Sequence, residues 1–146
     1  MKKIFVFDNE IFDSELLVCV GVKLKDVENW AKKNSNNLTD ILKVKENRKL
    51  IDDRFFCKSE KGCLIKFEKD GLSFYILYLR DFKNTWADLD CLNHEIVHYK
   101  QFQWQDRNIN NEIEFEAYFQ ENVFRQLRKK LNSFMKKYDI QLAKET

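Results

Sequence analysis

Proline is absent from the chain, and in 146 residues glycine occurs only three times and histidine only twice. With no internal repeat and no low-complexity linker, residues 1–146 read as a single domain, long enough for one real core and too short for two ordinary ones. Long apolar runs are missing as well. The start, Lys2-Lys3-Ile4-Phe5-Val6-Phe7, imitates a signal peptide, but Asp8, Glu10 and Asp13 stop its apolar run after four residues. Neither a secretory leader nor a membrane span is expected. Nor does one sign of charge dominate: 26 Lys and Arg stand against 24 Asp and Glu, for a net charge of +2. The composition therefore implies no nucleic-acid footprint and no acidic solvating tail.

What is present is apolar and aromatic. Hydrophobic residues make up 44% of the chain and aromatics 14%, with 13 phenylalanines, while 34% are charged. That balance predicts a compact domain with a heavily ionised surface. Cys19, Cys57, Cys63 and Cys91, with no export signal, predict reduced thiols and a cytoplasmic location. Cys57 and Cys63 flank a Lys-Gly turn, a spacing that suits neighbouring strands better than a zinc knuckle. The lack of proline, with abundant Asn, Lys and Phe, fits an AT-rich coding source.

The periodicity alternates between strand and helix. Ile4–Phe7 and Leu16–Val22 are apolar and β-branched, hence strands, with Gly21 as a candidate bulge. Val27, Trp30 and Ala31 at helical spacing predict a helix over 25–33, and a second, polar helix follows over 38–50, with Thr39 as its candidate N-cap. Cys63–Phe67 and Leu72–Phe82, joined through Glu68-Lys69-Asp70-Gly71, predict a hairpin. Its second strand is apolar at nearly every position and should be covered on both faces or lie beside a cleft. After a loop at 83–85, a helix is expected over 86–103, then a polar connection over 106–111 and a long helix over 112–138. Strands with small helices first, then two long helices, make the fold class α+β.

The two histidines both belong to Leu92-Asn93-His94-Glu95-Ile96-Val97-His98-Tyr99-Lys100-Gln101, which contains H-E-x-x-H. On a helix the i, i+4 spacing brings His94 and His98 one turn apart on one face, within reach of a single Zn²⁺. Glu95, beside the first ligand, is the candidate general base for a metal-activated water. Catalytic zinc takes three protein ligands. The third is sought in Asn111-Glu112-Ile113-Glu114-Phe115-Glu116-Ala117-Tyr118-Phe119-Gln120-Glu121, where Glu114, Ala117, Tyr118 and Glu121 share one helical face and Glu112 and Glu116 another. Small Ala117 would permit close approach to the histidine helix, so Glu114 is the expected ligand and Glu116 its rival. Tyr118 is the candidate oxyanion stabiliser. Cys91, one turn before His94, reads as a helix-packing thiol. The basic tail, Arg125, Arg128, Lys129, Lys130, Lys136 and Lys137, reads as the solvated face of an amphipathic helix, so neither membrane nor nucleic acid is an expected partner.

His94-Glu95-Ile96-Val97-His98, followed by Glu114-Phe115-Glu116-Ala117-Tyr118, resembles the minimal gluzincin zinc peptidases, small domains often borne by phages or mobile elements. The likeness extends over roughly residues 62–131 and is specific only at the two motifs. It implies His94, His98 and Glu114 as zinc ligands, Glu95 as general base, and a peptide or protein as substrate. Larger gluzincins place an acidic residue four positions after the glutamate ligand, where this chain has Tyr118, so the group that orients a histidine is not evident. The expected function is zinc-dependent peptide hydrolysis, with an extended substrate pairing along 72–79. The alternatives are a metal-holding regulatory module without turnover and a protein without metal.

Overall fold

The computed structural model describes residues 1–9, 11–12, 14–55, 60–109 and 113–145. Its backbone is α+β: a four-stranded sheet with three short helices, followed by two long helices. The chain divides into two compact units, one of Lys2–Arg80 and one from Asp81 onward together with Met1.

In the first unit, β1 (Lys3–Asn9) and β2 (Ser14–Val20) pair antiparallel. Strand β2 stops at Val20, and Gly21 takes a left-handed φ of +62° while its N–H donates to the Leu79 carbonyl at 2.9 Å. The expected bulge is therefore a strand end, a conformation that glycine adopts without Cβ strain. Helix α1 (Leu24–Asn34) begins where Asp26 accepts a bond from the Lys23 N–H at 2.9 Å.

The single helix expected over 38–50 is two helices, α2 (Asn36–Leu42) and α3 (Lys45–Phe55). The N-cap is Ser35, whose Oγ accepts from the Leu38 N–H at 3.1 Å, and Thr39 lies inside α2. The break has a local cause. Asn47 donates to the Ile41 carbonyl, and Arg48 to the carbonyls of Leu42 and Lys43, at 2.9–3.0 Å. Side chains thus satisfy carbonyls that a continued helix would have used.

Strands β3 (Gly62–Lys69) and β4 (Leu72–Leu79) form the expected hairpin. Its turn residues Asp70 and Gly71 have φ of +52° and +78°, the left-handed pair that a two-residue turn requires. Cys57, and with it the expected Cys57–Cys63 arrangement, lies outside the described residues.

The sheet order is β1-β2-β4-β3, with β2 and β4 parallel. Helices α1–α3 cover one face through Val27, Ala31, Leu38, Ile41 and Ile51, which pack on Leu17, Cys19, Ile65, Ile76 and Tyr78. The alternate residues, among them Leu16, Val18, Val20, Leu77 and Leu79, are buried too. This explains why β4 is apolar at successive positions: it is an inner strand, buried on both faces.

In the second unit, α4 (Trp86–Arg107) starts at a capping box. Thr85 accepts from the Asp88 N–H at 3.3 Å, and Asp88 accepts in return from Thr85. It ends at Asn108 in the left-handed conformation, φ +53°. Helix α5 (Ile113–Glu145) runs seven residues past the expected end at Tyr138.

Candidate metal centre

The H-E-x-x-H segment sits in the middle of α4, with at least two helical turns on either side, so its backbone geometry is fixed by intrahelical hydrogen bonds. Leu89, Leu92, Ile96, Tyr99 and Gln103 form the buried stripe, whereas His94 and His98 are exposed. The histidines therefore occupy the side of α4 turned away from its core. Their rings meet edge to face with centroids 4.7 Å apart and Nε2 to Nε2 at 3.1 Å. Two nitrogens bound to one tetrahedral zinc at about 2.0–2.1 Å would stand roughly 3.3 Å apart. The pair thus already has nearly the separation of two ligands to one ion.

His98 Nδ1 lies 3.2 Å from Gln101 Oε1. When Nδ1–H donates to that carbonyl oxygen, the His98 Nε2 lone pair points at His94, the tautomer that metal ligation needs. Gln101, one turn along the same helix, is thus within hydrogen-bond distance of the His98 ring. The signal was its i+3 spacing from His98, visible in the sequence but silent about role.

Glu95 takes a different side. It is only 6% exposed, about 60° round the helix from His98 on ideal geometry. The glutamate is buried beside the core stripe while its two histidine neighbours face outward.

Helix α5 presents α4 with a face other than the expected one. Phe119 packs on Tyr99 and Trp104 with centroids at 6.0 and 5.2 Å, and Phe115 on Trp104 at 5.3 Å. Glu116 Oε2 lies 3.9 Å from Lys100 Nζ, and Gln120 donates to Asn93 at its carbonyl (3.1 Å) and its side-chain oxygen (2.8 Å). Glu114, Ala117, Tyr118 and Glu121 are exposed, Tyr118 at 54%. The expectation that Ala117 marks the contact face is corrected: two phenylalanine rings offer far more apolar area to bury than one methyl and a half-wet phenol. Glu116, on the other acidic face, is the carboxylate turned towards α4.

The structure thus brings together His94, His98 and Gln101, and it does not gather Glu114 or Tyr118 with them. Among the described residues, no group of three His, Cys, Asp or Glu side chains is placed to hold one ion, and half-buried Cys91 does not complete such a group. Among the described residues the donor set, as it stands, does not make a three-ligand centre.

The expected substrate strand also needs correction. From Tyr75 to Leu79 both edges of β4 are hydrogen-bonded, to β2 on one side and β3 on the other. An extended peptide cannot add there without displacing a strand. Among the described helices none is long and apolar enough to cross a membrane. No protein-family model, curated protein or solved structure matches the chain.

Proposed function

We propose that the chain is a zinc-dependent metallopeptidase of the H-E-x-x-H type, with His94 and His98 as metal ligands and Glu95 as the proton-handling base. The observation that carries this reading is the 3.1 Å approach of the two Nε2 atoms on a continuous helix. Its support is the Gln101 bond, which favours the ligating tautomer of His98. Held by His94 and His98, a zinc would supply a water of near-neutral pKa and a Lewis acid for the scissile carbonyl. Glu95 would serve as the base that takes the water's proton and passes it to the leaving amine. The motif makes Glu114 the third ligand, with Glu116, which faces Lys100, as its rival. Zinc analysis of the two alanine variants separates them, because only the true ligand's loss strips the ion.

The test is zinc content followed by turnover. The purified protein should carry about one zinc per chain, lost in His98→Ala. Glu95→Gln should keep the zinc and lower hydrolysis of unstructured, apolar-rich peptides by a factor on the order of 10². Wild-type protein prepared without chelators and found free of transition metal overturns the reading. A second reading, a metal-holding module without turnover, is favoured by the burial of Glu95 away from the exposed histidines. It prevails if wild type and Glu95→Gln both hold zinc and both leave a broad peptide library intact.

A further inference from the structure

At one corner of the sheet the cover provided by α1–α3 is incomplete. On the face those helices pack against, Val6 and Asp8 of β1 stand directly opposite Leu17 and Glu15 of β2. With Phe74 of β4 alongside and Trp30 of α1 across from them, they line a cavity of about 410 Å³, within the usual range for small-molecule sites. Trp30 and Phe74 pack by one side against the core and stay partly exposed on the other, so the cavity has two aromatic walls.

Its charge is one-sided. Asp8 and Glu15 are exposed, face each other across the strand pair, and make no ion pair among the described residues. Like charges directly opposite in an antiparallel pair repel. Among the described residues no lysine or arginine lines the cavity. The sequence from Ile4 to Val22 holds four acids and no base, in a chain whose net charge is +2. An anion entering here would meet two carboxylates, and a neutral apolar molecule would leave their repulsion in place. A cation with an apolar body satisfies both features, since the carboxylates neutralise its head and the ring faces attract it.

We propose that this cavity binds an organic cation, an ammonium or guanidinium group carried on an apolar stem, with the charge between Asp8 and Glu15 and the stem against Trp30 and Phe74. The site is independent of the histidine helix and of any metal. The test is a titration of the full-length ¹⁵N-labelled protein followed by NMR. Phenethylammonium is the free-amine probe, Nα-acetyl-lysine methylamide the peptide side-chain probe, and 2-phenylethanol the neutral control. The expected result is a saturable shift of the Trp30 indole N–H and of the Val6 and Leu17 amides. The better cation should bind about tenfold more tightly than the alcohol. A tighter fit of the lysine probe assigns the source to a peptide, and of phenethylammonium to a free amine. The double variant Asp8→Asn/Glu15→Gln should abolish the preference for charge and raise the ligand-free melting temperature, because the repulsion is gone; either single substitution should give an intermediate loss. Equal binding of cation and alcohol, no saturable shift at Trp30, or a charge preference that survives in the double variant would overturn the proposal.

Discussion

The two sides of α4 differ in kind although they belong to the same two helical turns. One side, Leu92, Ile96 and Tyr99, is buried and holds the helix to its surroundings; the other, His94, His98 and Gln101, is exposed, its side chains bonded to one another among the described residues. The contrast shows that stability and the two candidate metal ligands are written on separate residues, so each can be removed without the other, whereas Glu95 lies on the buried side. A structural histidine pair would be expected to sit in the core with its nitrogens committed to backbone partners. These two are committed to each other and to a glutamine.

The largest effect should come from the buried side. Tyr99→Ala removes a fully buried ring packed on Phe119 and should cost about 3–5 kcal/mol in chemical denaturation. His98→Ala should stay within about 0.5 kcal/mol of wild type in the same metal-free assay. A loss in His98→Ala approaching that of Tyr99→Ala would erase the distinction between the two sides. Next in size is Gln101→Leu, which leaves the histidines in place but removes the acceptor for His98 Nδ1. It should weaken zinc binding by about 10–100-fold, read by competition with a chromogenic chelator, with no change in unfolding midpoint.

The smallest effect extends the contrast to the thiols. Burial, reinforced by the neighbouring Cys63, pushes the Cys19 thiol far above its ordinary value of 9.0, whereas Cys91 is half-buried on α4. Because the folded-state value is raised, Cys19 adds stability that is fully present below the unfolded value. That stability fades as pH climbs beyond it, since only the unfolded chain can then ionise the thiol. Denaturation midpoints should therefore fall between pH 8.5 and pH 10 by less in Cys19→Ala than in wild type, relative to their own values at pH 7. Alkylation mapped by mass spectrometry should reach Cys91 before Cys19.

How much of this was legible depends on the range of the interaction responsible. The hairpin at Asp70-Gly71 and the start of α4 at Thr85 are set by residues within three positions of one another, and both are readable. The break between α2 and α3 depends on Asn47 and Arg48 reaching back five or six residues, which no helical pattern records. The face α5 turns to α4 was misread because spacing gives Ala117 and Phe119 equal standing, while buried area does not. The parallel pairing of β2 with β4 joins segments more than fifty residues apart, for which periodicity carries no information. In the candidate site, the histidine pair was legible because it is local to one helix; a third ligand belongs to another element and depends on how the two helices meet.

The inner position of β4 also bears on the order of events as the chain folds. Hairpin β1–β2 can close by itself, yet two-stranded hairpins are marginal in water. Its β2 edge finds its permanent neighbour only when residues 72–79 arrive. Until then an apolar strand, Leu16-Leu17-Val18-Cys19-Val20, keeps one row of amides and carbonyls unpaired. That is the form in which strands of separate chains find one another. Closing the long loop between β2 and β4 should be the slow step, and refolding yield should fall with protein concentration more steeply than the size of the chain alone would suggest.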